Sequence, residues 1–434
     1  MYEWSEEHRM IRDAVRDFVE KEVRPQREEL EFGDTPPYDV IRKLYKTFGM
    51  DEMARSSFAK RIAAEQRASG AATADSNASE RDQSVEQRAS EAPAEKPVAA
   101  EAAKQSGREQ GGGGASFMLL PIIELCRCSP GLVTAMGVST GLAASTIMSR
   151  GTVAQKERWA LDLLTFDKVG AWAITEADSG SDAFGRMAAT AKRDGDEYLL
   201  NGSKTFITNG PYADTTVFIC KLDEGNPPAE RKILSFVLDQ GMPGFEQTKP
   251  MRKMGMHSSP TGMLFLTDVR VGKDRLLGET EDVPYREGAK EAFSIERVGV
   301  AAMSLGIIER CLELSLEYAK TCVRFGKPIG EHQLIQEKLA KMEMHRLNVE
   351  NMVFRSIEKS SAGAAMTLSE ASVMKLYSAR AAMEVALEAV QLHGGNGYMA
   401  EFEVEQLARD AKVLQIYAGT DEIQISQIAR NLLA

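Results

Sequence analysis

The strongest constraint in this chain is a change of hydrophobic period at two places. Between about residues 169 and 281 the sequence breaks into short β-prone runs: "KVGAWAIT", "AATAKRDGDEYLLNGSKTFITNG", "TTVFICKLD", "KILSFVLDQ" and "GMLFLTDVRV". Turn residues punctuate them at "RDGDE", "NGS" and "NGP". On either side the period is helical. Glu6 to Val23 and Tyr38 to Phe48 carry amphipathic spacing, and "SFMLLPIIELCRCSPGLVTAMGVSTGLAASTIMSRG" reads as packed helices rich in small residues. Gly151 ends that stretch, and a polar helix is expected at Val153 to Asp162. From about Asp282 the pattern is helical to the end, in "FSIERVGVAAMSLGIIERCLELSLEYAK", Glu331 to Ser360 and Leu368 to Leu392. The expected fold is α+β and multidomain, with helices in 1–168, a β domain in 169–281, and long helices suited to a bundle in 282–434.

One segment, about Ala63 to Ala115, is Ala, Glu, Gln, Ser and Gly with no core-forming residues to speak of. It buries too little apolar surface to offset its ordering entropy, so it reads as a disordered insertion. Elsewhere composition narrows the function. A formal net charge of −11 argues against a nucleic-acid partner held by phosphate contacts. No apolar run approaches a membrane span. The acidic, amphipathic N-terminus resembles neither a signal nor a transit peptide. The 5 cysteines lack a CxxC spacing, so reduced thiols in a cytoplasm are expected.

Several stretches could carry chemistry. "AITEADSGSD" leaves a strand for a loop crowded with hydroxyls and carboxylates, which makes an ordinary turn or presents donors to a polar ring. "FITNG" reads as a strand end with an Asn-Gly turn. "QLHGGNGYM" closes a long helix with three glycines, which end a helix or admit a ligand. His393 within it has no second histidine nearby and reads as a hydrogen-bonded structural residue, so no metal site is expected. Glu296 stands out. Its helical face-mates are Ala292, Gly299, Val300 and Met303, so the carboxylate is either desolvated and a stronger base, or paired with Arg297.

Taken in order, "ITEADSGSD", "NGSKTFITNG", "FGKPIGEHQ", "QLHGGNGY" and "RDAKVLQIYAGTDEIQ" resemble the acyl-CoA dehydrogenase family, flavoproteins that desaturate acyl-CoA thioesters. The resemblance covers nearly all of the chain outside the insertion. It implies an N-terminal helical domain, a middle β-barrel and a C-terminal four-helix bundle, with FAD between barrel and bundle. It also implies a homotetramer, or assembly with an unlike subunit, that passes electrons to an electron-transferring flavoprotein.

By motif, Trp172, Ile174, Thr175, Phe206 and Thr208 would surround the isoalloxazine ring. Arg324, Phe325, Gln333, Gln391, Gly394 and Gly395 would serve the adenosine and pyrophosphate of a neighbour's FAD, completed by Thr420 and Glu422. Ser181, Ser294, Arg297, Ala418 and Gly419 would line the acyl-CoA. Many relatives carry the proton-abstracting glutamate where Ala418 stands in "YAGT", whereas the isovaleryl-CoA and long-chain branches place it on the first long C-terminal helix. Glu296 matches that second placement, so the resemblance implies a moved base and a branched or long acyl chain. Two positions depart from the family. Cys322 stands where an arginine commonly contacts FAD phosphate, with Arg324 two residues later, and Phe206 replaces a frequent tryptophan. Two rival activities follow from the same likeness: an oxidase that uses O₂, and a DNA-binding flavoprotein without catalysis.

Overall fold

The computed structural model describes residues 3–79, 114–282 and 285–434. The first helix, Glu6–Phe18, starts at a capping box in which the Ser5 side chain accepts from the His8 backbone N–H. It continues through a π turn at Val19–Val23, followed by helices at Tyr38–Thr47, Met50–Ser79 and Gly114–Cys126. A further run, Pro130–Gly137, Val138–Ala144 and Ser145–Arg150, is helical with a π stretch in its middle. At 21 residues this Pro130–Arg150 run is long and apolar enough by composition to cross a membrane, which corrects the sequence expectation. Its Leu132, Ala135, Ala143, Ala144 and Ile147 are buried within the chain, so its apolarity serves the core.

The Met50–Ser79 helix also corrects the boundary of the insertion. Residues from Ala63 to Ser79 are helical, not disordered. Arg61 donates to the Met148 carbonyl at 2.9 Å, and Glu65 pairs with Lys156 at 2.5 Å, so the helix is anchored by polar contacts that composition does not display. The remainder of the expected insertion, residues 80–113, lies outside the described residues.

Seven strands form the middle domain: β1 Gly170–Ala173, β2 Thr190–Asp194, β3 Glu197–Thr208, β4 Thr215–Leu222, β5 Ile233–Asp239, β6 Phe245–Gln247 and β7 Thr261–Gly272. β4 lies parallel to β1 and β2 and antiparallel to β5, while β3 pairs antiparallel with β2 and β7. Among the described residues β5 pairs only with β4 and β6 only with β7, so the expected barrel is a half-barrel.

"NGS", read as a turn, lies inside β3. The register against β7 shifts between Leu200 and Gly202 and again between Lys204 and Ile207. Gly202 has φ 138°, and a Cβ there would meet the Ala189 backbone at 2.7 Å, so this bulge requires glycine.

The C-terminal domain contains long helices at Tyr285–Thr321, Gln333–Ser361 and Leu368–His393, then Glu403–Val413 and Asp421–Leu433. The first and third pack together most extensively. A short hairpin, β8 Val323–Arg324 and β9 Lys327–Pro328, joins the first two of these helices. Val300, Leu305 and Ile308 join Val15, Phe18 and Leu44 in one core, which fixes the N-terminal helices against the bundle.

Candidate active site

The predicted residues fall into three groups. The first sits at the rim of the half-barrel, where β1 and β3 end side by side. The Thr205 N–H donates to the Thr175 carbonyl at 2.9 Å, and the Lys204 Nζ donates to the Ile174 carbonyl at 2.9 Å and to Glu176 at 2.8 Å. Glu176 in turn accepts from the N–H groups of Ala188 and Ala189. Lys204 is fully buried, so this buried pair locks the two segments that carry Trp172, Ile174, Thr175, Phe206 and Thr208. The second bulge of β3 turns Phe206 outward at φ 57°, 64% exposed. On β1 the buried Trp172 Nε1 has no hydrogen-bond partner among the described residues. An exposed aromatic face and an unanswered buried N–H on these two segments fit a planar cofactor bearing acceptor atoms, as FAD does.

Asn209 of "FITNG" is buried at φ 63°, and its Nδ2 donates to the carbonyls of Ala135 and Gly170 at 2.9 Å each. It stitches β3 to β1 and to the N-terminal helices. Ser181 is exposed on the loop beyond Glu176.

The second group surrounds Glu296. One turn before it, Phe293 packs with Trp172, Ile174 and Phe184, which joins the base helix to the half-barrel rim. Ser294 is half-buried on the same turn. Glu296 is half-buried and, among the described residues, its carboxylate accepts no hydrogen bond. Burial pushes its carboxyl up to about 7, against the opposing pull of Arg297 and Lys375. The alternative of a direct ion pair with Arg297 is not what forms. Arg297 turns away and donates Nη1 to Ser372 at 2.9 Å, while its buried Nε has no partner among the described residues.

The turn Ala418–Gly419, at φ 54° and 87°, lies by Arg297, whose Nη2 would be 3.6 Å from a Cβ on Gly419. A Cβ on Gly419 would meet Gln424 Nε2 at 2.7 Å, so only glycine closes the turn there. Thr420 caps the last helix, accepting from the Ile423 N–H at 3.4 Å, and Glu422 is exposed in that helix's first turn.

The third group lies on the outside. Phe325 is 97% exposed at φ 53° on the β8–β9 hairpin, and Arg324, Gln333, Gln391, Gly394 and Gly395 are also exposed. Tyr318 organises this patch. It stacks on His393 at 4.4 Å and accepts from Asn396 at 3.3 Å. His393 donates Nδ1 to the Ala389 carbonyl at 2.8 Å and is buried, the structural role read from sequence. Arg324 donates to the carbonyl of its neighbour Val323 at 2.7 Å, and among the described residues no other hydrogen bond engages it.

Sequence reasoning missed Lys375, Gln424 and Tyr417. Lys375 and Gln424 are completely buried and both bind the Ala418–Gly419 turn. Tyr417 donates to the Met303 sulfur at 3.4 Å behind Glu296. The signal for Lys375 was present: Ala371, Ser378, Ala379 and Ala382 put it on a small-residue face, as for Glu296.

The chain thus combines a helical–half-barrel–helical architecture with a desolvated carboxylate on the first C-terminal helix. Models of the acyl-CoA dehydrogenase N-terminal, middle and C-terminal domains match residues 5–72 and 51–167, 171–269 and 287–433. An acyl-CoA dehydrogenase of Bacillus subtilis is 34% identical over 99% of this chain and 98% of its own. A 3-(aryl)acrylate reductase of Clostridium sporogenes is 31% identical over 99% of both chains. The mitochondrial isovaleryl-CoA dehydrogenase of Pongo abelii is 33% identical over 74% of this chain and 76% of its own. The solved butyryl-CoA dehydrogenase of Megasphaera elsdenii superimposes with a TM-score of 0.79 at 30% identity over 100% of both chains. The chain belongs to the acyl-CoA dehydrogenase family of FAD-dependent oxidoreductases.

Proposed function

We propose that this enzyme converts a saturated, branched or long-chain acyl-CoA to its trans-2-enoyl-CoA, with Glu296 as the general base. The observation that carries the reading is the burial-perturbed Glu296 carboxylate, without a donor among the described residues, next to the Arg297 that meets the Ala418–Gly419 turn. A carboxylate whose conjugate acid titrates near neutrality is matched to removing an activated α-proton. The α-carbon gives its proton to Glu296, the β-hydrogen leaves as hydride, and a carbon–carbon double bond forms. FAD, when bound, supplies the hydride acceptor. Trp172, Ile174, Thr175, Phe206 and Thr208 would hold its ring, and the exposed Phe325, Gln333, Gln391 and Gly394–Gly395 set, with Arg324, Thr420 and Glu422, a neighbour's adenosine and pyrophosphate.

Arg297, with an unanswered buried Nε, and Ala418, through its backbone N–H, receive the thioester with Ser181, Ser294 and Gly419. Room for the acyl chain is supported at Gly299, where an added Cβ would meet nothing within 4 Å. Exposed apolar side chains at Phe325, Leu334, Tyr398, Leu432 and Leu433 favour a homotetramer. The five free cysteines favour a reducing cytoplasm, and an electron-transferring flavoprotein is the proposed acceptor.

The test is anaerobic mixing of the yellow holoprotein with a panel of acyl-CoAs. Fastest flavin bleaching by a branched or long chain supports the reading. Butyryl-CoA as the best substrate removes the chain assignment, and no bleaching by any saturated thioester removes the reaction. Peroxide formed in air without an added acceptor would make the enzyme an oxidase.

A further inference from the structure

A second buried charge faces the base. Lys375 has no exposed surface, and its Nζ donates to the Gly419 carbonyl at 2.7 Å. Gln424, equally buried, donates to the carbonyls of Ala418 at 3.0 Å and Gly419 at 2.9 Å. The turn gripped by these two side chains holds Ala418 in the left-handed region. That conformation strains a non-glycine residue, and it persists where its surroundings over-determine it.

The helix bearing Lys375 also meets the base helix one turn earlier, where Arg297 donates to Ser372 at 2.9 Å. The charged and titratable groups around Lys375 are Asp421 at 3.8 Å, Arg297, Glu296 and Glu422, and those around Glu296 are Arg297, Lys375 and Tyr417. Asp421 is shared with Arg380 at 2.9 Å, so Lys375 is not the only cation that it answers.

Burying an ammonium is costly, and an apolar side chain of similar volume fills such a space more cheaply. Here the ammonium does two things that a methionine cannot. It donates to the strained turn, and it puts a positive charge on the helix that Ser372 ties to Arg297, the residue next to Glu296. We propose that Lys375 is a positioning residue for the dehydrogenation: it holds the Ala418–Gly419 turn in place and keeps Glu296 ionised. The second half rests on the reading of Glu296 as the base.

The test uses flavin-loaded enzyme and the rate of anaerobic bleaching by acyl-CoA as a function of pH. A positive charge lowers the pKa of a neighbouring carboxyl, so removing it raises that pKa. Lys375→Met should move the acid limb to higher pH by about one unit and lower the plateau by roughly tenfold. Lys375→Arg should return the acid limb to its wild-type place. Burial lowers the Lys375 pKa to about 8, so the wild-type plateau should also fall on the alkaline side, and Lys375→Arg should abolish that fall. This second readout stands if Lys375→Met fails to fold. Acid and alkaline limbs that stay put in both variants, with Glu296→Gln inactive, would overturn the proposal alone. Glu296→Gln bleaching at the wild-type rate would instead overturn the base assignment, and the charge half of the proposal with it.

Discussion

Two glutamates on the Tyr285–Thr321 helix, Glu296 and Glu309, are perturbed to the same degree for different ends. Burial pushes each carboxyl up to about 7. Glu309 is answered inside the protein. Arg127 donates to it at 3.3 Å, and the same guanidinium reaches Glu124 and Glu313. Arg16 of the first helix forks onto Glu124 at 2.9 and 3.0 Å, so Glu309 belongs to a lattice tying the N-terminal domain to the bundle. Glu296 feels the charges of Arg297 and Lys375 but, among the described residues, has no hydrogen-bond donor of its own. A raised pKa therefore does not identify a base. What supports the proposed base is a carboxylate without a donor next to Arg297, whose buried Nε is itself unanswered among the described residues.

That contrast can be broken in order of expected effect. A general base works deprotonated, so bleaching should fall about tenfold for each pH unit below 7, roughly a hundredfold by pH 5. Glu309→Gln should leave this limb in place, and a limb that moved with Glu309 would reverse the two assignments. Next, adding Ala418→Glu to Glu296→Gln puts a carboxylate where other family branches keep it. Bleaching should recover about tenfold over Glu296→Gln alone, and no recovery would mean that the Ala418 turn does not face the α-carbon.

The Glu309 side is read by stability. Its folded pKa lies above the ordinary value of 4.5. The stability that it contributes is present below about pH 4.5 and is lost as pH rises through about 7. Glutamine cannot ionise, so the melting temperature of Glu309→Gln relative to wild type should rise by about 2 °C between pH 5.5 and 8.5. A constant difference would contradict the burial argument. The smallest effect belongs to a half-exposed pair. Glu65→Gln should cost about 1 kcal/mol in urea unfolding by leaving the buried Lys156 unanswered. No loss would return Ala63–Ser79 to the status of a dispensable insertion.

Much of this arrangement was legible in the chain. The two changes of period gave the three layers of structure, and the helix face of Glu296 singled it out before any contact was seen. The same reading would have found Lys375, whose neighbours at helical spacing are alanines and serines. What local sequence could not display was set by distant partners. "NGS" has the signature of a turn, yet β7 pairs across it and Ala189 crowds Gly202, so it becomes a bulge inside β3. Ala63–Ser79 lacks apolar residues, but Lys156 and the Met148 carbonyl hold the start of that stretch on the surface. The sequence left open a pairing of Glu296 with the adjacent Arg297. Ser372 on another helix takes it instead.

The central claim is that Glu296 alone removes the α-proton, and one rapid-mixing comparison tests it most directly. Wild type and Glu296→Gln, each loaded with FAD, are mixed anaerobically with the best acyl-CoA of the panel while flavin absorbance is followed. Glutamine keeps the volume and can still hydrogen-bond, so flavin content should be unchanged and the bleaching rate should fall by about 10²–10⁴-fold. Bleaching of Glu296→Gln at the wild-type rate would contradict the account and send the search for the base to another carboxylate.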